Sequence, residues 1–242
     1  TSAKVTERDP VSGAAVEVLW VKGSGGDLGS MKLDGFATFY MDKLEALKGV
    51  YRGPAHEDEM VGYLPHCTFN LNPRAASIDT PLHAYVPRKH VDHMHPDAVI
   101  AIAAAKNSKE LTQEIYGSEI GWLPWKRPGS ELGLWLEKFC LENPEAKGVV
   151  LESHGLFTWA DDARECYELT LEIIQKAQDW FAAKTEGQPG FGGARHQSLD
   201  AEARRAVAAK LMPAIRGMVS GASHMVGHVD DQEAVLDFVN SA

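Results

Sequence analysis

The chain reads as an α/β fold, and three stretches predict it. Ala15-Val16-Glu17-Val18-Leu19-Trp20-Val21-Lys22 has β-rich composition behind a Pro/Gly turn. Gly148-Val149-Val150-Leu151-Glu152 is a short continuous apolar run of the kind a strand shows when both its faces are covered. From Ala163 to Lys184, Cys166, Leu169, Ile173, Ile174 and Ala177 recur at helical spacing, one apolar stripe on a long helix.

The remaining elements follow in order. Thr1–Val5 reads as a strand, and Asp9-Pro10-Val11-Ser12-Gly13 turns it into 15–22 as a hairpin. Lys22-Gly23-Ser24-Gly25-Gly26-Asp27-Leu28-Gly29 closes that hairpin with small residues whose amides can curl around an anion. It is not a dinucleotide fingerprint, because the third glycine would fall on Leu28. A strand or helix starts between Asp34 and Met41, and Leu44 and Leu47 space a short helix over 41–48. His56–Val61 predicts a helix whose acidic face, Glu57-Asp58-Glu59, is solvated. Asn70–Ser77 is a turn-rich connection. Asp79-Thr80-Pro81 then opens a helix, with Asp79 or Thr80 capping its amides and Pro81 in the first turn.

Asp97–Ala105 is an apolar helix ended by Lys106-Asn107-Ser108, and 111–115 is a short helix before Tyr116-Gly117. Ile120–Ser130, aromatic and rich in Pro and Gly, reads as an ordered loop with Trp122 and Trp125 as packing residues. Ser130 caps a helix over 131–141, stopped by Asn143-Pro144. Residues 185–197 hold closely spaced glycines, and helices are expected over 201–218 and 230–240. The domain core therefore spans 1–186, with 187–242 a glycine-rich link and helical extension of the same domain.

Composition narrows the function classes. The chain has 242 residues, 44% hydrophobic and 24% charged, an ordinary globular balance. A formal charge of −10 argues against a nucleic-acid partner, which needs a basic surface. An anionic substrate would need a local cationic or amide-lined pocket. Cys67, Cys140 and Cys166 are odd in number and in no C-x-x-C arrangement, as for buried thiols in a reducing compartment. With no signal-peptide pattern and no apolar run near membrane length, the expectation is a cytoplasmic protein with no membrane partner. The chain opens on a strand without an initiating Met, which predicts that the natural N-terminus lies upstream.

The chemistry centres on Asp92-His93-Met94-His95-Pro96. On a strand, His93 and His95 point to the same face while Met94 points away. Pro96 and Asp97 then start a helix, so the pair sits at a strand-to-helix corner. His154, at the end of the 148–152 strand, could complete a three-histidine set, the ligand number of a catalytic zinc with an open fourth position. Alone, a H-x-H pair reads equally as two hydrogen-bonded imidazoles, since the chain has ten histidines.

Ser77-Ile78-Asp79-Thr80-Pro81-Leu82-His83, Val91-Asp92-His93-Met94-His95-Pro96-Asp97-Ala98-Val99 and Leu151-Glu152-Ser153-His154-Gly155-Leu156-Phe157-Thr158-Trp159 resemble, in order and spacing, the class II aldolase/adducin family. The resemblance implies a three-layer α/β/α fold with a central, mainly antiparallel sheet. It implies Zn2+, or another divalent first-row metal, on His93, His95 and His154, with Asp79 as the catalytic acid/base where the family usually has Glu. Substrate phosphate is expected on Ser24, Gly25 and Ser77, with Lys22 a further candidate. Ile78 replaces a second phosphate-binding serine of the family, and Ser2 matches the last residue of a Gly-Asn-x-Ser motif whose Asn would precede residue 1.

By the same resemblance the reaction is aldol cleavage of a ketose 1-phosphate. Residues 211–217 and 235–240 look most like the aldolase half of bifunctional rhamnulose-1-phosphate aldolase/alcohol dehydrogenase fusions, which makes L-rhamnulose 1-phosphate the expected substrate. Its products would be dihydroxyacetone phosphate and L-lactaldehyde. This implies a partial chain with no nicotinamide site of its own, a dehydrogenase domain fused to it in the parent chain, and a homo-oligomer, commonly a tetramer, with a neighbouring subunit able to supply a further acid. An epimerase or decarboxylase of the same family would keep the three histidines and differ in its acid/base residues. An adducin-like binding domain would have lost them.

Overall fold

The computed structural model describes residues 1–72 and 74–241; Pro73, in the turn-rich 70–77 connection, and Ala242 at the tail lie outside the described residues. Thr1–Phe181 form one compact unit and the residues from Ala182 a second. The first unit is built on a sheet of β1 (Ser2–Arg8), β2 (Ala15–Lys22), β3 (Phe36–Tyr40), β4 (His90–Met94), β5 (Ile120–Leu123), β6 (Gly148–Leu151) and β7 (Gly155–Ala160). Their order across the sheet is β3-β2-β1-β4-β7-β6-β5. Neighbours run antiparallel except β5 and β6, which are parallel.

The helices are α1 (Met41–Ala46), α2 (Glu57–Tyr63), α3 (Thr80–Tyr85), α4 (Asp97–Ala103), α5 (Ser108–Tyr116), α6 (Ser130–Glu142) and α7 (Ala163–Thr185). Strand alternation distributes them over two faces. Leu19, Val21 and Phe39 pack with Met41 and Leu44 of α1 and with Tyr85 of α3, while Val149, Leu151, Phe157 and Trp159 pack with Leu132 and Leu136 of α6. On the opposite face Val150 and Leu156 meet Val99 and Ile102 of α4 and Ile173 of α7. This is the expected three-layer arrangement. All four residues of β6 are buried, which is why its sequence is apolar without alternation.

In the second unit, Asp200 accepts from the Ala203 amide at 2.8 Å to cap α8 (Ala201–Val219), and Arg204 pairs with Asp231 ahead of α9 (Glu233–Ser241). Among the described residues no helix is long and apolar enough to cross a membrane. The three cysteines are buried and unpaired.

Four readings are corrected, and one strand that the sequence did not mark is added. The 120–130 segment begins with strand β5 rather than loop, because Ile120 is buried against β6 and parallel pairing at a sheet edge leaves no period in so short a run. The loop after β2 does not close the β1–β2 hairpin, which residues 9–14 close; it leads out of β2 toward β3. A further strand, β7, occupies the segment that follows His154. The acidic face of α2 is not all solvated: Glu57 is 3% exposed. Its carboxylate accepts from the Ser130 and Glu131 amides and from the Tyr51 hydroxyl, so it caps α6 from a distance, and Ser130 is the first residue of that helix rather than its cap.

Gly129 makes this cap fit. Its φ of 143° favours glycine, and a Cβ there would come within 2.2 Å of Glu57 Oε1. Burial, then the Glu131 and Glu57 carboxylates, push the Tyr51 phenol far up, so it stays a donor. Glu57→Ala would strand buried amides, and we expect it to lower unfolding stability by about 2–4 kcal/mol, with Glu57→Gln losing less. Equilibrium urea denaturation measures both.

Candidate active site

The site lies where β4 ends beside the turn from β6 into β7. Register sets His93 opposite Phe157 and Met94 opposite Leu156. Strand β4 ends at Met94, so His95 follows it by one residue, yet its ring stays on the His93 side with the Nε2 atoms 3.0 Å apart. His154 comes from a tight turn in which Ser153 takes φ 53°, a left-handed conformation. The Ser153 amide donates to Ala103 O at 2.8 Å, which fixes that turn on the end of α4. Gly155 is required here: a Cβ would meet His95 Cδ2 at 2.5 Å and Met94 O at 2.8 Å.

One ligand atom from each of His93, His95 and His154 lies within 4.8 Å of the others. The donor set fits a divalent metal. His93 Nδ1 donates to Leu156 O at 2.9 Å, which fixes the tautomer and leaves Nε2 with its lone pair facing the cleft. Its ring stacks on Phe157, centroids 4.1 Å apart. His154 Nδ1 is buried without a hydrogen-bond partner among the described residues, a cost that a bound cation could offset. Imidazoles of this kind suit several first-row metals.

Asp79 precedes α3 but does not cap it. No amide of the helix reaches its side chain; Oδ2 accepts from the Ser77 hydroxyl at 3.2 Å and Oδ1 is buried with no partner. Lys22, Gly23, Ser24, Gly25, Ser77, Asp79, His93 and His95 line one cleft of about 370 Å³. The structure thus brings the expected phosphate, acid/base and metal residues to one place, with His154 beside them. Lys22 Nζ donates to Gly23 O at 3.3 Å and Gly25 O at 2.9 Å, so it braces the loop as well as facing the cleft. Ile78 has no polar atom to offer there. Trp125 is exposed and does not line the cleft, and the Trp122 indole donates to Ser108 Oγ at 3.0 Å, a packing role.

His83 also lines the cleft and was not singled out by its sequence. It is buried against Phe157, and Nδ1 shares a 2.8 Å hydrogen bond with Ser2 Oγ. The available signal was its position four residues after Asp79, on the same helical face. A larger cavity, about 800 Å³, opens near Lys4, Glu17, Glu45 and Arg88. It mixes both charges with no converging ligand set, so the chemistry belongs to the smaller cleft.

A sequence model of the class II aldolase and adducin N-terminal domain matches residues 1–180. The chain belongs to the class II aldolase and adducin family. It is 42% identical over 241 residues to a Bacillus subtilis protein named "Uncharacterized oxidoreductase YuxG", covering all of this chain and 34% of that one, so the chain spans about a third of that relative's length. Among solved structures it resembles the N-terminal class II aldolase domain of a conserved Thermoplasma acidophilum protein, with TM-score 0.67 and 32% identity over 74% of this chain and 82% of that one. A sugar-phosphate aldolase from Thermotoga maritima shares the fold, with TM-score 0.55 and 14% identity over 77% of this chain and 85% of the other.

Two outcomes are expected of this class II aldolase-fold site. Wild type offered zinc should hold about one ion per chain by elemental analysis and melt at higher temperature than without it. His93→Ala should lose both effects while keeping its circular dichroism spectrum. The second concerns pH. Burial pushes His93 down to about 3, against the hydrogen bond to Leu156 O; burial and His95 push His154 down, against Asp79. Unfolded, both rings take protons near ~6.5. The unfolded chain therefore binds more protons below that value, and the metal-free protein should keep its stability above it and lose it progressively toward pH 3. Urea midpoints across this window should fall less steeply in His93→Gln; an equal slope would refute the assignment.

Proposed function

We propose that this chain is a metal-dependent aldolase that cleaves a ketose 1-phosphate, with L-rhamnulose 1-phosphate as substrate and dihydroxyacetone phosphate and L-lactaldehyde as products. The observation that carries the reading is the single cleft in which His93 and His95 of the three-histidine cluster, a carboxylate with one unpartnered oxygen, the glycine loop with Ser24, and Ser77 converge. A zinc ion, or another divalent first-row metal, held by His93, His95 and His154 would supply Lewis-acid polarisation of the substrate carbonyl.

The chain's own residues have separate tasks. Ser24, Gly25 and Ser77, with Lys22, bind the phosphate and so fix the C3–C4 bond relative to the histidines. As that bond breaks, its electron pair moves toward the ketone, and the C4 hydroxyl gives its proton to a basic group as it becomes the aldehyde of the leaving fragment. Carbon 3 then takes a proton, and in this reading Asp79 delivers it from Oδ1, which takes up a proton from solvent between turnovers; the unpartnered Oδ1 and the Ser77 contact to Oδ2 support that role. Asp79 is one methylene shorter than the glutamate usual in the family, so its substrate must sit nearer α3. A homo-oligomer, commonly a tetramer in this family, would let a neighbouring subunit supply the group that takes the C4 hydroxyl proton and that acts as an acid on the aldehyde in the reverse, condensation direction. The much longer curated relative, named an oxidoreductase, supports placing this domain in a chain that also carries a dehydrogenase acting on the aldehyde.

Wild type loaded with zinc and given L-rhamnulose 1-phosphate should release both products, detected by coupled assay and NMR. Asp79→Asn should retain its metal and lose roughly 10²–10⁴-fold in kcat. An epimerised sugar or released carbon dioxide would move the chain to another reaction of the family. Full metal loading with no turnover on any sugar phosphate would favour a binding domain of the adducin kind.

A further inference from the structure

A cation crosses the glycine loop of this cleft. A Cβ built on Gly26 would stand 3.9 Å from Nη1 and 4.0 Å from Cζ and Nη2 of Arg74, so the guanidinium lies flat across the loop. The stem is fixed from below: a Cβ on Gly23 would fall 2.6 Å from Arg74 Cβ, so glycine is needed there for the arginine to approach. Backbone pairing locks the two segments together, since the Ser24 amide donates to Ala75 O at 2.9 Å. Arg74 therefore arrives on the same segment as Ser77 and faces the loop that carries Ser24 and Gly25.

Charge accounting gives this arm a task. Arg52, Arg88, Arg127, Arg164 and Arg204 each pair with a carboxylate; Arg74, like Arg8, Arg195, Arg205 and Arg216, has none within ion-pair distance among the described residues, and its exposed guanidinium lies on the glycine loop. Lys22 lines the cleft but already donates to Gly23 O and Gly25 O. Gly25 and Gly26, at φ 70° and 76°, make no backbone hydrogen bond through their amides among the described residues, which leaves those N–H groups for an anion. A phosphate there carries up to two negative charges in a chain of net charge −10. Ile78 contributes no hydroxyl to meet it. An arginine presents two parallel N–H groups to such an anion, a geometry that a lysine cannot reproduce.

We propose that Arg74 is the cationic arm of the phosphate subsite, closing over the Gly23–Gly26 loop, and that it sets the preference for phosphorylated over unphosphorylated ketoses. This rests on the aldolase reading for the substrate but not for the anion. The two are separated by titrating inorganic phosphate into the zinc-loaded protein by calorimetry and, in parallel, measuring cleavage of L-rhamnulose 1-phosphate and L-rhamnulose. Arg74→Gln should weaken phosphate roughly 10- to 100-fold, the range for losing a charge-assisted pair, and Arg74→Lys should recover part of it. KM for the phosphorylated sugar should rise by the same factor with kcat and metal content held, and any turnover of the unphosphorylated sugar should not change. Equal phosphate affinity in wild type and Arg74→Gln, or no phosphate binding by wild type, overturns the proposal. Arg74-dependent phosphate binding without cleavage of any ketose phosphate supports Arg74 and removes the aldolase reading instead.

Discussion

The site depends on one register, that of β4 against β7. With Met94 opposite Leu156, Gly155 comes under His95, and the absent side chain at 155 is what lets the two backbones close to the point where a Cβ would touch both Met94 O and His95 Cδ2. A slip of one residue would turn His93 to the opposite face of the sheet, where Asp92 now meets Thr170. It would also break the His93 bond to Leu156 O that selects the tautomer. Three imidazoles that would otherwise be isolated polar groups become one donor set because a strand pairing places them there.

That donor set sits in a region designed against protonation. Burial holds His93 neutral, and Phe157 stacks on its ring where a charged neighbour would have raised its basicity. His83, also buried and pushed well down by desolvation, presents a second neutral ring along the same wall. Neutral imidazoles keep their lone pairs for a cation at ordinary pH, so binding one displaces few protons. Asp79 lies close enough to raise His154 electrostatically, which ties the carboxylate to the histidines although it is not one of the three.

The legible part of the molecule was the part with local chemistry. Spacing in Asp92-His93-Met94-His95 and the apolar run into Ser153-His154 marked three histidines that the fold does bring together, and the small residues after Lys22 marked a loop that lines the same cleft. The β1–β2 hairpin, α4, α6 and α7 were legible from period and punctuation. What sequence alone could not carry was pairing at a distance. Glu57 looks like one of three solvated acids until α6 arrives 73 residues later with open amides. Strand β5 is four residues long and is a strand only because β6 lies beside it. Arg74 sits in a turn-rich connection, and nothing local announces that Gly23 and Gly26 make room for it.

Residues 77–79 show how a substitution can alter one function of a site and spare another. The histidines are held by β4 and the 153–155 turn, so replacing the usual glutamate by Asp79 leaves the proposed metal positions untouched. The shorter carboxylate keeps one oxygen on Ser77, which fixes its direction, and leaves the other free and buried. A proton-transfer group requires that combination of orientation and an open lone pair. Ser77 would then have two neighbours to serve, the carboxylate it already contacts and the proposed anion, while Ile78 serves neither. The same backbone segment, pinned to the glycine loop through Ser24 and Ala75, therefore sets both the reach of the proposed acid and the composition of the proposed anion pocket. A change in the substrate's length between its phosphate and its reacting carbon would have to be met by both together.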